Sequence, residues 1–246
     1  MENECRFVLH YYFMALPFFY IEAIAGATVV LNEDTSKHVV QVLRMQNGEL
    51  LQLTDGKGHL FTCEITDNNR KRCAVRVKQT VNSEPKTVAI SIAISLLKNS
   101  SRFEWFLEKA TEIGVTEIIP LICTRTEKNS FKHERMNSIL VSAMLQSQQT
   151  YLPILHQPVK FTEAVNKLTQ QQKFIAHCED ESNKVQLHHQ IIKSSNQLIL
   201  IGPEGDFTTE EIALALQNNF EPVALGNTRL RTETAGIVAA ALLLNH

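Results

Sequence analysis

Two loops near the end of the chain carry the residue types from which a small-molecule site could be built. A strand-like run, Gln197 to Ile201, breaks into Gly202-Pro203-Glu204-Gly205-Asp206-Phe207. Further along, Leu225-Gly226-Asn227-Thr228-Arg229-Leu230-Arg231-Thr232-Glu233-Thr234-Ala235 opens an apolar helix. Glycine lets main chain approach a ligand closely, and ligands of open α/β sheets sit beyond the carboxyl ends of strands. Two such loops can line one pocket with amides and carbonyls, which suits a nucleoside or nucleoside-like cofactor. No G-x-x-x-x-G-K-S/T is present, so neither loop is a triphosphate cradle. The lack of G-x-G-x-x-G argues against a dinucleotide. Taken singly, each loop also reads as a tight turn with no ligand.

Metal and thiol chemistry find little support. His188-His189 are adjacent without a carboxylate at ligand spacing, and His177-Cys178 follows a strand on the pocket side. Both pairs read as packed or satisfied side chains, so no metal site is expected. Cys5, Cys63, Cys73, Cys123 and Cys178 are odd in number and lack metal or redox spacing. Free thiols in a reducing cytoplasm fit them best.

The elements that must hold the loops fall into two groups. Phe18 to Ile21, Thr28 to Leu31, Glu49 to Thr54, Leu60 to Thr66 and Cys73 to Gln79 read as short strands. The turns Asp55-Gly56-Lys57-Gly58 and Asp67-Asn68-Asn69 join some of them. Thr35 to Arg44 places Val39, Val42 and Leu43 at helical spacing. Together these predict a small β-barrel over residues 14–82, followed by a linker at 83–87. Beyond it, apolar strands alternate with helices: Ala89 to Leu96, Glu117 to Ile122, Lys173 to His177, Gln197 to Ile201 and Pro222 to Leu225 against Ser101 to Ile113, Lys132 to Gln149, a helix capped by Thr208-x-x-Glu211, and Thr232 to Leu244. That alternation predicts an α/β domain with a parallel sheet over 88–246. Gly114 suits a helix end. Residues 1–13 read as an extension outside the fold, with Met14-Ala15-Leu16-Pro17 the more natural start. Ala23-Ile24-Ala25 resembles a secretory cleavage site, but Glu2, Glu4 and Pro17 argue against a signal.

Net charge is −2 over 246 residues, with 44% hydrophobic and 20% charged residues. This is the balance of a folded protein with no global basic field, so a nucleic acid must be held by local patches. Arg70, Lys71, Arg72, Arg76 and Lys78 form one such patch, with Lys57 in the preceding turn and Arg44 at the end of the first helix. Arg125 and Lys128 lie beyond a strand end. Contacts of this kind hold phosphates without reading sequence, though each residue also reads as a solvated strand edge. No run of about eighteen apolar residues occurs, so no membrane span is expected.

Taken jointly, the motifs resemble a known family, the RsmE-type ribosomal RNA (uracil-N3) methyltransferases of the SPOUT class. The matching residues are Gly202-Pro203-Glu204-Gly205, Leu225-Gly226 and Leu230-Arg231-Thr232-Glu233-Thr234-Ala235. Arg102-Phe103-Glu104-Trp105, Lys109 to Pro120, His38 to Arg44 and Asp55-Gly56-Lys57-Gly58 also match. The resemblance covers residues 15–246. It implies S-adenosyl-L-methionine as cofactor, a C-terminal trefoil knot, a PUA-like N-terminal domain, and a homodimer that methylates N3 of a uridine in small-subunit (16S) ribosomal RNA. It implies cofactor binding by Ile201, Gly202, Pro203, Glu204, Gly205, Leu225, Gly226, Leu230, Thr232, Thr234 and Ala235. The chain departs from the family at Asp206, where a glycine is usual, at Thr228-Arg229 in place of Arg-Ile, and at Gln149 in place of Arg.

That reaction requires an unpaired or flipped base, a loss of the N3 proton, and a cation for the charge left on O2 and O4. Arg231 is the expected cation; it also reads as a phosphate or dimer ion pair. Glu233 or water would accept the proton, and Glu233 also reads as a first-turn carboxylate favoured by the helix dipole. The rival expectation is a non-catalytic RNA-binding or ribosome-assembly module that retains the fold.

Overall fold

The computed structural model describes residues 16–24, 26–128, 130–179, 184–192 and 195–244. The extension expected over residues 1–13 lies outside them. The chain divides into two compact units. One takes the chain up to Thr54 together with Leu60–Val81; the other takes Asp55–His59 together with the chain from Asn82 onward.

The first unit is built on five strands: β1 (Phe18–Tyr20), β2 (Thr28–Val30), β3 (Leu50–Thr54), β4 (His59–Asp67) and β5 (Ala74–Asn82), in the order β1-β3-β4-β5-β2. β1 runs parallel to β3, while the β3–β4 and β2–β5 pairs are antiparallel. Alternate strand residues, among them Leu51, Leu53, Cys63, Ile65 and Val75, join Val29 and Val39 in one core. The helix expected over Thr35 to Arg44 is two pieces. Helix α1 (Glu33–Lys37) is capped by Asn32, whose side chain accepts from Thr35 N at 2.8 Å, and a π-helical turn follows over His38–Val42. Three β-branched valines within that turn crowd regular helical packing, and Arg44 ends it at φ 57°. The strand expected to end at Gln79 is longer, since β5 continues to Asn82.

The second unit contains β6 (Ile90–Ser95), α2 (Ser100–Ile113), β7 (Glu117–Ile122), α3 (His133–Gln146), β8 (Ile154–Leu155), β9 (Val159–Lys160), α4 (Phe161–Lys167), β10 (Gln172–Ala176), β11 (Val185–Gln186), β12 (Gln197–Ile201), α5 (Thr209–Gln217), β13 (Glu221–Ala224) and α6 (Thr232–Leu244). The sheet order is β11-β13-β10-β12-β6-β7-β8, with β9 also beside β7, and the pairs are parallel. Strand residues alternate between two cores. Ile92, Ile94, Ile118, Ile199 and Ile201 pack with Phe103, Phe106 and Leu107 of α2, Leu140 of α3 and Ala239 and Ala240 of α6. Ala93, Ile119, Leu121, Ile175, Leu198 and Leu200 pack with Phe161 and Val165 of α4, Ile212 and Ala215 of α5, and Phe207. Gly114 ends α2 at φ 108°, and the capping box at Thr208 and Glu211 starts α5.

This order decides where the site lies. Ala176 at the end of β10 pairs with Ile201 of β12 on one side and Val223 of β13 on the other. The loops leaving β10, β12 and β13 therefore emerge side by side.

Candidate functional site

The loop after β12 is held by its own side chains and its neighbours. Asp206 sits at φ 64°, a left-handed conformation that Asp tolerates better than most residues. Its Oδ2 accepts from Cys178 N at 2.7 Å and its Oδ1 from Phe207 N at 2.8 Å. The residue standing where the family has glycine thus keeps the glycine-like backbone and stitches this loop to the one after β10. Gly202 sits in close approach, since a Cβ there would lie 3.1 Å from the Phe207 ring. Glu204 Oε1 accepts from Lys98 N at 3.2 Å, which ties the loop to the connection between β6 and α2.

Arg125, expected at an RNA surface, clamps the same loop. Its Nη1 donates to Gly205 O at 2.7 Å and to Phe207 O at 3.2 Å. Gly205 faces this guanidinium stem, with Arg125 Cδ 3.3 Å from where a Cβ would be, and lies outside the cleft described next.

A cleft opens between the loops in two lobes. The larger, about 460 Å³, lies against Ala224 to Leu230, His177, Cys178 and Lys184. The smaller, about 360 Å³, lies against Ile201 to Glu204, Asp206, Arg102 and Arg229 to Thr232. Ala176, Cys178, Arg229, Leu230 and Ala235 line both. Of the expected cofactor residues, the structure thus brings together Ile201, Gly202, Pro203, Glu204, Leu225, Gly226, Leu230, Thr232 and Ala235. Gly226 adopts φ 148° beside open space, a backbone setting that favours glycine. The walls combine the two glycine loops and small apolar side chains with charged groups: Lys184, Glu179 and Arg229 in the larger lobe, and Glu204, Asp206, Arg102, Arg229 and Arg231 in the smaller. Main-chain groups beside charges of both signs fit a nucleoside carrying a zwitterionic arm, and the size falls within the usual range for ligand sites.

Sequence reasoning set His177-Cys178 on the pocket side but did not count Ala176, Cys178 or Arg229 among the cofactor residues. Ala176 ends β10 and Cys178 lies just beyond it, and their place in the cleft follows from β10 neighbouring β12. The Cys178 thiol is pushed up in pKa by burial and by the nearby Asp206 carboxylate, with Arg229 opposing. Gln149, where the family has arginine, has a helix-capping role. Its Nε2 donates to Thr111 O at 2.8 Å and Glu112 O at 3.0 Å, carbonyls at the end of α2.

A second hollow of about 300 Å³ lies between α2 and α6. It is lined by Ser101, Arg102, Trp105, Arg231, Glu233 and Thr234. Arg102 and Arg231 also line the smaller lobe. Thr234, expected on the cofactor surface, lines this hollow. Glu233 is buried, and its Oε2 has no hydrogen-bond partner among the described residues, while Oε1 is 3.7 Å from Arg102 Nε. Arg231 is exposed at the rim.

In the first unit, Arg70, Lys71 and Arg72 are exposed in the turn between β4 and β5, and Arg44 is exposed after the π-helical turn. Lys78, by contrast, pairs with Glu64 at 2.8 Å. Lys57, in the turn that counts with the second unit, is exposed, and its backbone bridges to Tyr151. Among the described residues no group of three His, Cys, Asp or Glu could hold a metal ion, and no helix is long and apolar enough to cross a membrane.

Comparison with known proteins places this geometry in a family. Residues 84–244 match the model of an RNA methyltransferase domain, and residues 31–78 match that of an RNA methyltransferase PUA domain. The ribosomal RNA small subunit methyltransferase E of Synechocystis sp. is 32% identical over 98% of this chain and 79% of its own. A probable rRNA methyltransferase from Porphyromonas gingivalis has a similar structure, with a TM-score of 0.86 and 38% identity over 92% of this chain and 95% of that one. So does the ribosomal RNA small subunit methyltransferase E of Neisseria gonorrhoeae bound to S-adenosyl methionine, with a TM-score of 0.81 and 29% identity over 92% and 95%. A main-chain-lined cleft at three parallel strand ends, joined to a PUA-like unit and matched along nearly the whole chain, is explained by common descent: this chain belongs to the ribosomal RNA small subunit methyltransferase E family.

Proposed function

We propose that the chain transfers a methyl group from S-adenosyl-L-methionine to N3 of a uridine in small-subunit ribosomal RNA. The observation that carries this reading is the two-lobed cleft beyond β10, β12 and β13, with Arg231 and Arg102 at the edge it shares with a second hollow. The cofactor, when bound, supplies an electrophilic methyl on a sulfonium. Ile201 to Glu204 and Leu225 to Leu230 would hold it by main chain, and Asp206 would keep both loops in place through Cys178 N.

The chain's own residues do the rest. Arg231, exposed at the rim, would offer its guanidinium to the O2 and O4 atoms of the target base, where charge gathers as N3 loses its proton. Glu233, next to Thr232 of the cleft lining, has an oxygen without a partner among the described residues and would accept that proton. Holding base and donor at near-attack distance supplies most of the acceleration. Arg70, Lys71 and Arg72 would hold RNA phosphates, with Arg44 and Lys57 as further contacts. The reading includes a homodimer in the cytoplasm and a trefoil knot at the C-terminal end. The sheet order is consistent with the knot, since β12 enters between β10 and β6 and the chain then crosses β10 to enter again as β13, between β10 and β11.

The test is methyl transfer from labelled S-adenosyl-L-methionine to small-subunit RNA, mapped by primer extension. We expect one N3-methyl stop that disappears in a deletion strain. Donor binding with an unchanged stop profile would instead identify a non-catalytic RNA-binding or assembly module.

A further inference from the structure

We propose that Glu211 is the positioning residue of the donor loop: through Thr124 it fixes the connection after β7, from which Arg125 clamps the loop after β12. This rests on the methyltransferase reading above. It assigns the donor site a buried support on the face of the sheet covered by α4 and α5.

Glu211 is 6% exposed, and a carboxylate is costly to bury unless donors surround it. Its donors come from two separate elements. Oε2 accepts from Thr208 N at 3.0 Å, which completes the capping box of α5. Oε1 accepts from Thr124 N at 2.8 Å and from Thr124 Oγ1 at 3.1 Å. A capping box uses only one of those oxygens, and a neutral glutamine serves it as well. The second oxygen therefore does what no helix end requires. It reaches a residue 87 positions earlier in the chain and holds both of that residue's donors.

Thr124 is the first of three residues that are each tied to a different element. Thr126 Oγ1 accepts from Cys123 N at 2.8 Å and lies 2.9 Å from Ser95 Oγ, at the end of β6. Between these two anchors Arg125 donates Nη1 to Gly205 O at 2.7 Å and Phe207 O at 3.2 Å. A long side chain on a loose connection would lose much rotamer freedom in making two such bonds. With Thr124 and Thr126 both held, the guanidinium is placed before the loop arrives.

What Arg125 holds reaches the donor cleft directly. Phe207 is buried, its ring 5.2 Å from that of Phe161. Gly202, which lines the smaller lobe, lies against the same Phe207 ring. A displaced Phe207 carbonyl is therefore a displaced cleft wall. Glu211 is absent from the lining of either lobe, so its effect passes through Thr124 and Arg125. Freeing the connection lowers the fraction of molecules whose loop is ready for the donor. Apparent donor affinity falls by that fraction, while the step after binding proceeds as before.

The test compares two variants that weaken the same helix end. Thr208→Ala removes the hydroxyl half of the capping box and leaves both Glu211 oxygens engaged. Glu211→Ala removes the cap and the tie to Thr124 together. Calorimetry on the full-length chain with S-adenosyl-L-methionine reads donor Kd, and thermal unfolding reads Tm. Both variants should lower Tm. Only Glu211→Ala should also raise donor Kd, by about tenfold, with kcat at saturating donor and RNA within about threefold of wild type. Arg125→Ala should raise Kd by a similar factor. The double variant should lose about tenfold as well, since both residues act on one loop. A Kd raised equally by Thr208→Ala would make Glu211 a helix cap and overturn the proposal. So would a double variant showing the product of the two single losses. Should Glu211→Ala fail to fold, Thr124→Val takes its place, because it removes one donor from Oε1 and leaves the cap whole. A Kd raised about threefold or more is then expected, and an unchanged Kd overturns the proposal. An unaltered Kd in a folded Glu211→Ala, with the wild type binding donor, would overturn the role of Glu211 and leave the function standing. A wild type that binds no donor would overturn the methyltransferase reading and this assignment with it.

Discussion

Asp206 shows how a departure from a family pattern can preserve the geometry that pattern serves. Its backbone lies at φ 64° and its carboxylate bonds Cys178 N and Phe207 N. In Asp206→Ala the left-handed backbone costs about 1–2 kcal/mol and the Cys178 bond is lost. We expect a lower Tm and a several-fold weaker donor Kd by calorimetry. Asp206→Gly, which keeps the backbone free, should lose less stability. Arg231→Ala should lower kcat by about a hundredfold to a thousandfold with donor Kd within twofold; equal losses in both would make Arg231 a cofactor ligand. Cys178 gives a pH test. Burial and the Asp206 carboxylate raise its pKa, so the reactive thiolate is scarcer at any given pH than in a free thiol. Alkylation followed by mass spectrometry should therefore inflect above the free-cysteine value, and bound donor should slow it.

At the level of elements, α6 was legible end to end because its apolar run is bounded by Thr232 and Leu244. What it packs on was not. Gly236 lies against α2 and β6, where a Cβ would come within 2.7 Å of the Phe106 ring and 2.9 Å of Ile94 Cδ1. Gly236→Ala should cost about 1–3 kcal/mol through overpacking, measured by denaturant unfolding, with an unchanged slope. β8, β9, α4 and β11 went unread in the sequence because two-residue strands and a seven-residue helix carry too little periodicity to register. Gln149 is similar: a substitution that looks like a lost cation is a cap on α2, and only the fold brings it to Thr111 and Glu112.

On the scale of the whole molecule, a chain of net charge −2 must meet RNA through local cations. Arg70, Lys71 and Arg72 are exposed, whereas Lys78 is paired with Glu64. Replacing the three by alanine should raise the KM for RNA, leave donor Kd unchanged, and lower the slope of log K against log salt by about 2, since each single-strand phosphate contact contributes roughly 0.7. Lys78→Ala should move that slope far less. A slope unchanged by the triple substitution would locate the RNA surface elsewhere.

The sequence by itself determined the strand–helix alternation, the two glycine loops and their main-chain chemistry, because hydrophobic period and turn residues are local properties. It also carried Arg231 and Glu233 as the polar residues opening α6. Only the tertiary structure decided that Cys178 and Asp206 join the loops after β10 and β12, that Arg125 clamps one of those loops, and that Thr234 lines the hollow beside α2 while Ala235 lines the cleft. Those are consequences of strand order, in which β10 lies between β12 and β13. Strand order is set by which buried faces fit across long stretches of chain, and no short window of residues contains it.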